Sequence, residues 1–252
     1  MLKITRGVYV LCFVCFMSDN HMQSQDVEYV VVRTDASSQE VVDNESPWWE
    51  ARRIKWGPAA YETEFRALWS DQGLYVRFES TDPNPWFTMI EQDDPIWNEE
   101  VVEIFIDLDR SGTNYAEIEI SPANVVTDLS IMWEGDDREG DLSWNLEGLE
   151  SHVRLNRYRD GSTAGWTAVA FLPWPGFASL PSATATTLPP TAGTHWRFNV
   201  FRIKRPWGES DPSRDVVFAA WSPVTGESFH EPTVFRELVF EGNSELPSQE
   251  PD

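Results

Sequence analysis

The chain has 252 residues, and 42 acidic against 19 basic side chains give it a formal charge of −23. Such a surface repels nucleic acid and anionic membrane, so neither is expected as a partner. The length is enough for one large all-β domain with a real core, and 13 tryptophans exceed what a core needs, which puts some of them on loops or a binding face.

Residues 1–24 read as an export segment. Lys3 and Arg6 precede an eleven-residue apolar run, Gly7 to Met17, too short to span a bilayer but suited to a secretory signal. Both cysteines, Cys12 and Cys15, fall inside it, so the mature domain would carry no thiol for a disulfide, a nucleophile or a metal site. The protein is therefore expected to be exported, whether to periplasm, cell surface or medium, and to act as a monomer.

Residues 27–241 read as one domain. Glu28 to Thr34 is β-branched and predicts a first strand, followed by a polar, turn-like stretch from Asp35 to Pro47 and a tryptophan-rich loop or short strand from Trp48 to Gly57. Glu62–Trp69 and Leu74–Thr81 alternate around a Ser-Asp-Gln-Gly turn and predict a hairpin, with Phe65, Ala67, Leu74, Val76 and Phe78 inward. Two prolines exclude helix from Asp82–Phe87. Strands are expected again over Val101–Asp107, Tyr115–Ile120 and Val125–Trp133, then an acidic loop over Glu134–Leu142. Shorter strands follow near Ser151–Leu155 and Gly165–Leu172. Pro173–Gly193 reads as an irregular excursion with a helical turn near Trp174–Leu180. Trp196–Arg205, Val216–Trp221 and Phe235–Phe240 close the sheets, and residues 242–252 form an acidic tail expected to be disordered. Roughly ten to twelve short strands without helical periodicity predict an all-β fold, an antiparallel β-sandwich of immunoglobulin or jelly-roll type.

The strand Val101–Asp107 organises the rest. Val102, Ile104 and Ile106 form an apolar face, while Val101, Glu103, Phe105 and Asp107 share the other, which is expected to be a partly covered concave surface. In the next strand Tyr115, Glu117 and Glu119 point the same way, bringing Glu119 toward Glu103. Trp97 lies on a polar segment just before. An aromatic beside a carboxylate on a sheet suits a neutral polyhydroxylated ligand, that is, a sugar.

Five blocks in order, Phe65–Asp82, Asp93–Asp107, Asn114–Leu129, His195–Arg205 and Trp221–Phe240, resemble the family 9 carbohydrate-binding modules and their relatives in bacterial exported proteins. The resemblance covers roughly residues 30–241. It implies a β-sandwich that binds glucan or xylan chains in polysaccharide degradation, without chemistry of its own and with calcium in structural roles. It implies that Trp97 and Phe229 flank the sugar, Phe229 standing where those modules have a second tryptophan, and that Glu103 bonds its hydroxyls. Glu119 and Ser121 occupy the places of an Arg-x-Asn pair.

Two other readings stay open. A glycoside hydrolase would use Glu103 and Glu119 as its carboxylate pair. A b-type haem sandwich would need methionine with histidine or lysine, yet His21, His152, His195 and His230 have no ligand spacing to one another. For Glu103, pairing with Arg202 is the alternative to ligand contact. The loops Asp82–Asp94 and Glu134–Asp141 offer carboxylates for calcium, although no EF-hand pattern is present.

Overall fold

The computed structural model describes residues 28–226 and 228–242; residues 1–24, expected to be an export segment, and residues 243–252 lie outside these. Among the described residues there are thirteen strands. They are β1 (Glu28–Arg33), β2 (Ile54–Trp56), β3 (Thr63–Trp69), β4 (Gly73–Thr81), β5 (Val101–Asp107), β6 (Asn114–Ile120) and β7 (Val126–Glu134), then β8 (Asp137–Asp141), β9 (Glu150–Arg157), β10 (Thr163–Pro173), β11 (His195–Lys204), β12 (Val217–Ala220) and β13 (Arg236–Phe240). Their hydrogen-bonded order is β8-β7-β6-β5-β11-β13-β1-β3-β4-β10-β9, with β12 beside β11 and β2 beside β3.

The sandwich is not wholly antiparallel. β1 runs parallel to β13 along Glu28–Val31 and then parallel to β3 along Val32–Arg33. It thus passes from one sheet to the other and joins the two layers along one edge, where an unpaired strand would otherwise expose its backbone. The inward residues of both layers meet in one core. Val102, Ile104 and Ile106 of β5 pack with Phe65, Ala67, Val76 and Phe78 of the opposite sheet, as their alternation predicts. Among the described residues no helix is long and apolar enough to cross a membrane.

Two expectations need correction. The stretch from Asp35 to Pro47 contains a short helix, Ser38–Asp43, closed by a capping box between Ser37 and Glu40. Its Val41 is buried against Trp48, whose Nε1 donates to the Val41 carbonyl at 2.8 Å. The acidic stretch Glu134–Leu142 is largely β8, hairpinned to β7 through Gly135 at φ 64°. All five β8 residues are exposed; with no apolar face, its sequence carries no period to read. A charged, short edge strand of this kind discourages pairing with another chain. The helical turn near Trp174 is present as a 3₁₀ turn, Trp174–Ser179.

One end of the core holds charge instead of hydrocarbon. Arg202 and Lys204 continue the inward face of β11 beyond Trp196, Phe198 and Val200, and meet Asp82 at the end of β4 and Glu100 just before β5. Arg202 Nη2 reaches Asp82 at 2.6 Å, and Lys204 Nζ reaches Asp82 at 2.9 Å and Glu100 at 2.6 Å. All four side chains are buried, and the Arg202 guanidinium lies 4.8 Å from the Trp166 ring centre. Burial acts to raise the Asp82 carboxyl, but the charges of Arg202 and Lys204 outweigh it and hold Asp82 below its ordinary value. Glu100 goes the other way: burial and the Asp82 charge push it up to about 8 against the pull of Arg202 and Lys204. Breaking a buried pair leaves an uncompensated charge, so Asp82→Asn is expected to lower unfolding stability by about 3–5 kcal/mol in urea titrations. Between pH 4.5 and 8 folded Glu100 retains a proton that the unfolded chain has released, so its contribution to stability is present below that window and lost as pH rises through it. Glu100→Gln is expected to flatten part of that decline in urea midpoints measured from pH 5 to 8; an unchanged slope would contradict the assignment.

Candidate functional site

The candidate site lies on the outer face of β5, β6 and β11. Antiparallel register sets Glu103 directly opposite Glu119 on β6 and opposite Phe201 on β11. Glu117 follows the same parity as Glu119, and the three glutamates bring one carboxylate oxygen each to within 4.8 Å of one another. This face is not an open hollow. Glu103, Glu117 and Glu119 are only 2%, 5% and 1% exposed, because two loops fold across them.

The first loop, between β4 and β5, carries Trp97 on a 3₁₀ turn, Ile96–Asn98. Acidic side chains hold the loop in shape. Glu99 accepts from the backbone N–H groups of Thr88 (2.8 Å) and Met89 (3.1 Å) and from the Thr88 hydroxyl. Asp94 accepts from the N–H groups of Ile90 and Glu91 at 3.1 and 2.9 Å, and Thr127 Oγ1 of β7 donates to the Asp94 carbonyl at 2.6 Å. Asp94 and the buried Asp82 are therefore engaged by protein donors, at the two ends of one of the stretches considered for calcium. The carboxylates of Asp136, Asp137 and Glu139 in the other stretch are exposed.

The second loop runs from β12 to β13 and carries Phe229 and His230. Glu231 folds it by accepting from Thr225 N–H and Oγ1, both at 2.7 Å. Phe229 stacks on Phe201 with ring centres 4.4 Å apart and 21° between planes. Trp97 and Phe229, both half-buried, pack against the same cluster of Ile96, Val101, Val125 and Ile203. His230 lies tilted over Phe105 at 5.0 Å, with Nδ1 2.9 Å from the Tyr115 hydroxyl and Nε2 3.8 Å from Glu117. Ser121 sits in the turn after β6, where its Oγ accepts from the N–H groups of Ala123 and Val125, both at 3.2 Å. A hollow of about 390 Å³ lined by Gln92, Asn124, Val125, Asp128 and Asn145, among others, opens on the Val125 side.

The electrostatics of the three glutamates follow from burial. Desolvation lifts Glu103 well above the ordinary carboxylate range, helped by Glu117. It lifts Glu119 likewise, helped by Glu103 and Glu117, with the Trp97 backbone N–H pulling the other way. Glu117 rises to about 7 through burial, against Glu119 and Arg138, which both lower it. Arg202 does not pair with Glu103: the two point to opposite faces of the sheet, and Arg202 is taken by Asp82.

So four of the five nominated residues, Trp97, Glu103, Glu119 and Phe229, come together, and Ser121 holds the adjoining turn. The residues that sequence reasoning left unnominated are Glu117 and His230. Glu117 could have been found from its parity with Glu119 in β6; His230 had no signal beyond its neighbour Phe229. His152 and His195 lie elsewhere, on β9 and at the start of β11, where His195 faces Glu237 at 3.3 Å.

Comparison with known proteins agrees with this architecture. A protein of Arthroderma benhamiae described as an extracellular protein is 27% identical over 184 residues, 71% of this chain and 78% of its own length. A candidate carbohydrate-binding protein from Bacteroides uniformis shares the fold with a TM-score of 0.65 at 15% identity, over 85% of this chain and 99% of that one. A family 9 carbohydrate-binding module from Caldicellulosiruptor kristjanssonii, solved with cellotriose, superposes with a TM-score of 0.57 at 16% identity, over 89% and 99% of the two chains. Residues 35–243 match the model of the carbohydrate family 9 binding domain-like family, and the chain belongs to that family.

Proposed function

We propose that this domain binds a sugar chain of glucan or xylan type without chemically altering it, serving an exported system of polysaccharide degradation. The observation that carries the reading is the convergence of Trp97 and Phe229, from two separate loops, on one apolar cluster beside the Glu103–Glu119 pair. A pyranose presents a face of C–H groups that packs on an aromatic ring and a belt of hydroxyls that needs acceptors and donors. In this proposal Trp97 and Phe229 supply the two apolar walls, and Glu103 and Glu119, nearly sealed beneath them, support those walls instead of meeting the sugar's hydroxyls directly. Ser121 contributes by holding the adjoining turn. The hollow on the Val125 side gives the chain room to continue past amide groups. Catalysis is left out because Glu103 and Glu119 are nearly sealed: an acid and a nucleophile must both reach the scissile bond. The family to which the chain belongs, the cellotriose held by the Caldicellulosiruptor module and the description of the Arthroderma relative agree in direction.

Burying one sugar face on an aromatic ring contributes on the order of 1–2 kcal/mol. Trp97→Ala is therefore expected to weaken retention in affinity gels containing soluble glucans and xylans by roughly 5- to 30-fold. Ser121→Ala, which removes the acceptor of the Ala123 and Val125 N–H groups, is expected to lower stability by about 1 kcal/mol in urea titrations. Retention of wild type by none of these polymers would refute the reading.

A further inference from the structure

Two exposed rings stand beyond the Trp97 and Phe229 walls, both on the hairpin that joins β11 to β12. Phe218 is 50% exposed and Trp207 44%. Phe218 pairs in register with the outward-facing Ile203, and its ring meets that of Phe229 edge-on at 5.9 Å. Trp207 follows Ile203 by four residues, so their Cα atoms are no more than about 14 Å apart. An indole at the tip of a polar turn is ordinarily free to swing; this one is held. Its Nε1 donates to Asp215 at 3.0 Å, the Arg214 guanidinium stacks 3.8 Å from its ring centre, and its carbonyl accepts from the Ser210 hydroxyl. Gly208, at φ 50°, lets the turn dock on the Trp97 loop, since a Cβ there would lie 3.1 Å from Trp86 Cγ. Val216, next to Asp215, packs into the same cluster as Trp97 and Phe229. Fixing a large apolar ring in water forfeits side-chain freedom with little burial in return, unless a ligand covers it.

We propose that the carbohydrate site is open at both ends and takes internal stretches of a neutral polysaccharide, with Trp207 as its outlying stacking platform. This rests on the sugar-binding reading and adds to it the length and direction of the bound chain. Strand order sets the direction. β7, β6, β5 and β11 lie side by side, with β12 beyond the outer part of β11. The hollow beside Val125, the Trp97 and Phe229 walls and the β12 hairpin therefore follow one another across the sheet. A site built for chain ends needs a wall across that path; here one flank is a hollow and the other an exposed ring. Trp207 offers a flat apolar surface on which the C–H face of a pyranose packs. Arg214 and Asp215, both exposed, stand beside it with the donor and the acceptor that ring hydroxyls need. The formal charge of −23 opposes both an anionic polymer and a second copy of this chain as the occupant.

Full-length protein would be titrated calorimetrically with a disaccharide and a hexasaccharide of the glucan or xylan that affinity gels retain. The same polymer would be tested before and after borohydride reduction of its chain ends. The expected result is tighter binding of the hexasaccharide than of the disaccharide, and undiminished binding of the end-reduced polymer. Trp207→Ala is expected to weaken hexasaccharide and polymer binding by about fivefold or more and to leave the disaccharide unchanged. Trp207→Phe keeps a ring while giving up the Asp215 contact, and should recover part of the loss. Trp49→Ala removes a tryptophan 71% exposed beside Trp48, on the outside of β3 and β4, and should change nothing. Equal hexasaccharide affinity in Trp207→Ala and wild type, or loss of binding on reducing the chain ends, would overturn the proposal; disaccharide binding would then leave the sugar reading in place. Binding of none of these ligands by wild type removes both. A wild-type dimer in sedimentation that Trp207→Ala separates would assign the ring to contact between copies and also overturn the proposal.

Discussion

The pairing register of β5 and β6 is the constraint from which the rest of the site follows. By setting Glu103 across from Glu119, with Glu117 one parity step along, it concentrates three carboxylates on one patch of sheet. Such a patch would be harmless in water. It becomes consequential because the loops before β5 and after β12 cover it, withdrawing the solvent that would otherwise screen like charges. Burial, more than any single neighbour, therefore governs the chemistry of this surface, and it raises all three glutamates together. The aromatic rings that do the covering are the same ones that present an apolar wall to the outside.

β11 shows how one strand can serve two environments. Its outward residues Phe201 and Ile203 support Phe229 and Trp97, while its inward residues Arg202 and Lys204 close one end of the core with Asp82 and Glu100. The two charge systems lie on opposite faces of the same strands, separated by the thickness of a sheet. That separation leaves the basic residues fully committed to the interior and unable to compensate the glutamates outside.

The acidity of the chain also has local uses. Glu99 and Asp94 fold the Trp97 loop, Glu231 folds the Phe229 loop, and Asp107 receives the backbone N–H groups of Arg110 and Gly112 in the β5–β6 turn at 2.9 and 2.8 Å. Carboxylates that accept several N–H groups stiffen loops that have few apolar residues to pack. An acidic composition is thus partly a loop-building material here, and the two loops built this way are those that carry the candidate ligand-contacting rings.

Alternation with a period of two made most strands, their faces and the family legible from sequence alone. Val102, Ile104 and Ile106 fall inward, and Glu103, Glu117 and Glu119 share the outer side, as their spacing requires. What spacing does not record is solvent: β8 escaped notice because an exposed edge strand has no apolar face, and the short helix at Ser38 because one buried valine makes no stripe. The closing of the outer face was likewise beyond reach, since Phe229 meets Phe201 and Trp97 meets Val125 only after distant segments have folded over the sheet. The order of residues sets which side chains share a face; only packing seals that face and gives Arg202 to Asp82, because burial and pairing depend on contacts between segments far apart in the chain.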